Sequence, residues 1–271
     1  MKAALVLIAG CALSAWALAQ EREQEPEDQP ARYVLGVSMA VKPEYDGART
    51  YETRFRPLWA MQLGRWRLST SGGSALLGFG REGAGPGASR QLLERGPWRL
   101  GVALRFDNGR SSGDASTTRG LPDVRRTLRA RFSASYSLSP DLSLTGAVSQ
   151  DLLGRRGGLT GGLDLGWRFY RSPTLEWSAG AGISGANALN MRSYFGVPAS
   201  VADSVGKPAY EPGAGLREMH AGVGFTRPLG KHWFVFGSAG VTRLLGPAAD
   251  SPLTERRDGA SAALGLAWRN L

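Results

Sequence analysis

The chain has 271 residues with one cysteine and two histidines, which excludes a disulfide framework and a cysteine metal centre. Hydrophobic residues at 42% and charged residues at 21% exclude a disordered chain, and a mean hydropathy of −0.21 excludes a bundle of transmembrane helices but not a half-apolar β-barrel. The net charge of +10 comes mainly from 29 arginines against four lysines. They are spread through strand-like segments, which argues against a nucleic-acid tail and for lipid or lipopolysaccharide as the anionic neighbour.

Residues 1–19 have the form of an export signal. Lys2 supplies the positive start, residues 3–18 are almost wholly apolar, and Ala17-Leu18-Ala19 is a small-x-small cleavage site. Cleavage there removes Cys11 and starts the mature chain at Gln20. A lipoprotein-type box, Ile8-Ala9-Gly10-Cys11, fits less well, because the apolar run continues beyond the cysteine. Residues 20–30 form an acidic, proline-bearing leader expected to be flexible.

From Tyr33 onward the hydrophobic period is two. Segments 32–41, 50–63, 65–71 and 74–80 open the series, the last two being the least regular. Segment 97–107 sets Trp98, Leu100, Val102, Leu104 and Phe106 opposite Arg99, Gly101, Arg105 and Asp107. Segment 124–138 is the clearest: Leu128, Ala130, Phe132, Ala134, Tyr136 and Leu138 oppose Arg125, Thr127, Arg129, Arg131 and three serines. A helix would mix these two sets. Segments 141–152, 158–170, 174–184, 216–228, 232–244 and 259–269 continue the rule. The count is about twelve strands of roughly ten residues each, or ten strands if the 65–80 pair is discounted.

Connections alternate in length. Tight turns are expected at Gly64, Ser139-Pro140, Arg171-Ser172-Pro173 and Leu229-Gly230, and long loops at 42–49, 108–123, 155–157 with its neighbours, 185–215 and 246–258. Residues 81–96, read as a loop, break the alternation. Short turns at one rim and long loops at the other mark an outer-membrane barrel. Trp59, Trp66, Trp98, Trp167, Trp177, Trp233 and Trp268 all fall toward the tight-turn rim, as a membrane-interface girdle does.

Which face points inward follows from charge. Arg54, Arg56, Arg99, Arg105, Arg125, Arg129, Arg131 and Arg168 share the polar face with Glu52, Asp107, Asp164, Glu176 and Glu218. Facing lipid, each arginine would cost about 2–4 kcal/mol at mid-bilayer. Facing a lumen, the charges pair and hold water. Residues 31–271 are therefore predicted to be an all-β, antiparallel transmembrane β-barrel in the outer membrane.

Several motifs resemble the MipA/OmpV family of outer-membrane proteins. They are Pro43-Glu44-Tyr45-Asp46-Gly47, then Gly120-Leu121-Pro122-Asp123-Val124 with Thr127, then Tyr194-Phe195-Gly196-Val197 continuing through Ala202 and Tyr210 to Gly213-Ala214-Gly215-Leu216, and finally Ala248-Ala249-Asp250-Ser251-Pro252-Leu253. The resemblance implies an outer-membrane barrel, with a lytic transglycosylase and a murein synthase as partners. It also leaves open an adhesin or permeability role.

The residues themselves show no catalytic triad spacing, no phosphate-binding loop and no metal-ligand or cofactor cluster. His220 and His232 read as lumenal or interfacial. The expected function is a non-enzymatic scaffold linked to murein enzymes, the alternatives being a narrow anion-favouring channel or a surface adhesin. The candidate functional element is Tyr194–Leu216, in the long loop after residue 185, where Tyr194, Phe195, Val197 and Tyr210 are placed to plug the lumen or cap the mouth. Asp250 is expected to order its own turn through Ser251.

Overall fold

The computed structural model describes residues 31–70, 86–113 and 115–270. The export signal with Cys11, the acidic leader and the 74–80 segment lie outside the described residues.

Twelve strands form a closed antiparallel barrel in which each pairs with its sequence neighbours and β12 returns to β1. They are β1 Arg32–Pro43, β2 Tyr51–Leu63, β3 Trp66–Ser69, β4 Gly87–Arg95, β5 Trp98–Asp107 and β6 Thr127–Ser137. The second half holds β7 Leu142–Asp151, β8 Leu159–Arg171, β9 Glu176–Ala186, β10 Gly215–Pro228, β11 Trp233–Leu244 and β12 Asp258–Arg269. Closure gives every strand a partner on each side, as a segment inside hydrocarbon requires, and among the described residues β3 meets β2 only at Ala60–Leu63. No helix among the described residues is long and apolar enough to cross a membrane.

Alternation sorts the side chains between two environments. Leu35, Val37, Met39, Val41, Phe132, Val148, Leu163, Leu165, Leu264 and Leu266 all point outward and lie bare, Val37 at 64% exposure and Phe55 at 78%. A belt of that size would drive aggregation in water and suits the outer face of a membrane barrel. All seven predicted tryptophans sit toward the tight-turn rim, where Tyr33 and His232 both lie against Trp268 with ring centroids 5.5 Å away.

The interior is polar except beside β1, β2, β11 and β12 near the tight-turn rim. There Val34, Leu58, Phe234 and Ala267 form a buried cluster with Phe236 against it. Gly265 makes this packing possible, since a Cβ there would lie 2.2 Å from Phe236 Cζ. Burying Phe234 contributes about 1.5–3 kcal/mol.

Three expectations are corrected. Residues 87–95 are strand β4, not part of an 81–96 loop. A register shift between Gln91 and Leu93 interrupts the alternation and hides the strand. With β4 in place, the β4–β5 connection is the tight Gly96-Pro97 turn, with Gly96 at φ 56. The 81–96 stretch therefore no longer counts as a long connection on the tight side. Second, β3 is Trp66–Ser69 among the described residues, shorter than the 65–71 segment expected. Third, β6 begins at Thr127, so Arg125 sits on the rim before the strand, and Val124 instead bridges to Arg110.

Candidate functional site

At the long-loop rim the connections fold onto one another as a cap. Helix α1, Ala188–Phe195, starts where the Asn187 side chain accepts the Asn190 N–H at 3.0 Å and the Leu159 N–H at 3.1 Å. This fastens the helix to β8 as well as capping it. After Gly196 the chain extends, and Val197 and Tyr210 exchange backbone hydrogen bonds of 2.9 Å. The loop between them holds the short helix α2, Ala199–Val205, which begins after Pro198 and ends at the left-handed Gly206. A third short helix, α3, Gly246–Ala249, opens the β11–β12 loop.

Two apolar clusters join these pieces. Met191, Phe195, Leu244 and Ala248 bind α1 to α3, with Tyr194 packed against them. Leu121, Val197, Ala202 and Leu253 bind the β5–β6, β9–β10 and β11–β12 loops, with Tyr210 at the side. Polar contacts complete the seams. Ser251 Oγ donates to the Phe195 carbonyl at 2.6 Å, and Arg110 donates to the carbonyls of Tyr194 at 3.0 Å and Pro122 at 3.2 Å. Tyr45 Oη reaches the Leu253 carbonyl at 2.8 Å from the β1–β2 loop, and Tyr210 Oη reaches that of Pro247 at 2.9 Å.

Burial raises the Tyr45 and Tyr210 phenols above their ordinary range, and raises Tyr194 further because the Asp107 charge adds to it. Tyr194 Oη lies 3.3 Å from both Asp107 carboxylate oxygens, so the hydroxyl proton is held as a donor to the lumenal wall.

Of the five loop residues singled out from sequence, Phe195 at 3% exposure and Val197 at 0% are anchors of the cap, and Tyr194 and Tyr210 are half-buried at its edges. Asp250 is different. Its side chain is exposed and pairs with Arg257 at 3.0 Å, while the Ser251 hydroxyl goes to Phe195 and accepts the Leu253 N–H at 3.1 Å. The turn is ordered by the serine.

Sequence reasoning missed Arg110, Asn190 and Glu255, and did not foresee that Ser251 reaches Phe195. Glu255 is a hub: its carboxylate accepts the Thr117 hydroxyl and the Arg49 N–H, the latter at 3.0 Å. These two bonds, the threonine's first, hold its pKa below the ordinary glutamate value. A carboxyl depressed in the folded state stabilises above its unfolded pKa and loses that contribution as pH falls through its folded pKa. Cap stability should therefore drop below about pH 4. Glu255→Gln should remove most of that acid sensitivity, as read by limited proteolysis of the loops across a pH series. Identical pH profiles for the two proteins would refute the assignment.

Under the cap lies a chamber of about 1360 Å³. Arg54, Arg56, Arg105, Asp107, Arg125, Arg129, Arg131, Asp164 and Glu218 line it. Of the other charged residues expected in the lumen, Glu52 pairs with Arg54 at 2.6 Å and Lys42 at 3.4 Å. Toward the tight-turn rim Arg99 donates to Ser137 Oγ at 2.8 Å, and Arg168 lies 3.5 Å from Asp141 and 3.8 Å from Glu176. His220 meets Asp164 at 2.8 Å inside the chamber. Among the described residues, no group of three His, Cys, Asp or Glu is placed to hold a metal ion.

A closed twelve-stranded barrel, apolar outside and charged inside, with tight turns at one rim and a loop cap at the other, defines an outer-membrane β-barrel protein. The family described as MltA-interacting protein MipA matches over residues 35–270, and the chain belongs to that family. No curated protein sequence matches it. Among solved structures it resembles the NanC porin at 10% identity, covering 86% of this chain and 98% of that one with a TM-score of 0.43. It also resembles the KdgM porin at 8% identity, with 87% and 98% covered and a TM-score of 0.40. The anion-selective porin from Comamonas acidovorans matches at 9% identity, with 89% and 98% covered and a TM-score of 0.40. At these identities the likeness is one of fold.

Proposed function

We propose that the protein is a non-enzymatic outer-membrane scaffold whose tight-turn rim docks a lytic transglycosylase acting on murein, and through it a murein synthase. Lipid and lipopolysaccharide surround the apolar belt. The observation that carries this reading is the family match over residues 35–270, since the family is described by its interaction with MltA.

The geometry is compatible in charge and modest in area. The cap lies at the long-loop rim, so among the described residues a periplasmic partner meets the short turns, which carry Arg65, Arg171, Arg227 and Lys231 beside Glu94, Asp141 and Glu176. Short turns offer little surface compared with the roughly 800 Å² per partner of a standard interface. Docking should therefore be weak, steered by charge and sensitive to salt.

The test places the barrel in lipid nanodiscs with a purified lytic transglycosylase of the MltA type. Salt-sensitive co-elution is expected. The double variant Arg171→Glu with Lys231→Glu should weaken it by about tenfold or more, because two attractive contacts become repulsive. No retention of the enzyme at low salt would end the reading.

A further inference from the structure

The chamber beneath the cap carries a positive charge that its own carboxylates do not neutralise. Among the described residues, eleven lysine and arginine side chains line it against five aspartates and glutamates. Several of these cations are committed. Arg129 is bound to Asp107 and to loop carbonyls, Arg217 to Asp46, Arg54 to Glu52, and Arg110 to two cap carbonyls.

Four others make no side-chain hydrogen bond or salt bridge with any described residue: Arg56, Arg125, Arg126 and Arg131, the last of which stands within the field of the Asp164 carboxylate without bonding to it. They stand at two depths and on two parts of the wall. Arg125 and Arg126 are at the mouth just before β6, Arg131 is four residues into β6, and Arg56 is on β2, four strands around the barrel.

The chamber is also half-deep. Its lining goes no further than the strand midpoints, at Pro57, Arg131, Ala147, Asp164, Ile183 and His220. Below that level the cluster around Phe234 occupies one side of the interior. A solute entering from the outer mouth thus meets cationic groups at the entrance and again about halfway down the strands.

The valence of the fitting solute follows from this spacing. In a wet space, charges more than about 8 Å apart are screened from one another, so a monovalent ion gains from one guanidinium at a time. A molecule with two or more acidic groups engages both levels at once. Each group can take the paired N–H donors of a guanidinium, a geometry that suits carboxylate and phosphate oxygens alike.

We propose that this chamber is a binding site for a small organic polyanion with at least two carboxylate or phosphate groups, held between Arg56, Arg131 and the Arg125–Arg126 pair. The site requires neither conduction through the barrel nor docking of a murein enzyme at the opposite rim.

Calorimetric titration of the full mature protein in non-ionic detergent, at low salt, tests it with two probes: citrate for carboxylates and fructose 1,6-bisphosphate for phosphates. At least one should bind saturably at one per barrel, weakening as salt rises, while acetate should not saturate. Binding by only one probe would assign the acidic group.

The double variant Arg56→Gln with Arg131→Gln should lose about tenfold or more in affinity. Arg54→Gln, whose charge is already paired, should change affinity less than threefold or so. Heat-shifted gel migration reports that each variant is folded. Should the double variant fail to fold, Arg125→Gln with Arg126→Gln lies outside the strands and should also weaken binding several-fold. Failure of both probes to saturate the wild type, or equal affinity in wild type and a folded variant, would overturn the proposal.

Discussion

Replacing Arg129 with methionine should destabilise the barrel by about 3–5 kcal/mol, the usual result of removing one member of a buried, hydrogen-bonded charge pair. Arg129 is only 8% exposed. Its guanidinium donates to Ser149 Oγ at 3.1 Å and to the carbonyls of Ser149 at 2.8 Å, Gly157 at 2.9 Å and Gly158 at 3.1 Å. It also reaches Thr160 Oγ1 at 3.2 Å and the Asp107 carboxylate at 3.5 Å. Methionine keeps most of the volume but leaves those buried carbonyls without their donor and Asp107 without its nearest cation.

The loss should spread along the same contacts. The β7–β8 connection, residues 152–158, is fixed by Arg129 on its carbonyls and by Asp151, which accepts the Gly157 N–H at 2.9 Å and the Leu153 N–H at 3.0 Å. Asn190 of the cap also donates to the Gly157 carbonyl, at 2.7 Å, and Tyr194 leans on Asp107. Urea unfolding in detergent should show the full loss, and protease should cut 152–158 in the variant before the barrel opens. Lysine should recover only part, because one ammonium cannot span six acceptors in two directions. Arg56→Met, which removes a guanidinium with no bonded partner among the described residues, should change stability by less than about 1 kcal/mol. If Arg129→Met and Arg56→Met unfold alike, the buried network is not what holds this side of the barrel.

The same contrast explains what could be read from the sequence. Strands such as β6 and β8 were visible because lipid on one side and water on the other impose an unbroken period of two. Strand β4 was not, because the shift at Gln91–Leu93 puts two leucines in succession, and β3 is too short to show a period. The polar face told which way the arginines point, but not which are paired. Pairing depends on register, and register sets Arg105 directly opposite Arg129 rather than opposite a carboxylate. The cap was visible as a loop with aromatic and β-branched residues. Its partners were not, since Ser251 meets Phe195, and Arg110 meets Tyr194, across 56 and 84 residues of sequence. A lone serine or arginine in a loop has no periodic neighbour to mark it.

Val37→Arg should cost about 2–4 kcal/mol in a bilayer, whereas a charge one residue along should cost little. Val37 lies at the middle of β1, facing outward, and is paired with Pro57 and Leu266 in the adjacent strands. A guanidinium there must either shed its water into hydrocarbon or draw water and headgroups inward, and both are unfavourable near the midplane. Ser38 points the other way and sits opposite Arg56. A carboxylate introduced as Ser38→Glu faces the Arg56 cation across the pair and stays in contact with lumenal water. The two neighbouring substitutions should therefore separate by several kcal/mol in folding experiments from urea into lipid vesicles. In detergent the gap should narrow, because a micelle deforms around a charge more readily than a bilayer. Equal penalties at the two positions in vesicles, or a soluble monodisperse Val37→Arg protein in plain buffer, would mean that the apolar face does not meet lipid. The belt from Leu35 to Val41 on β1 would then need another covering.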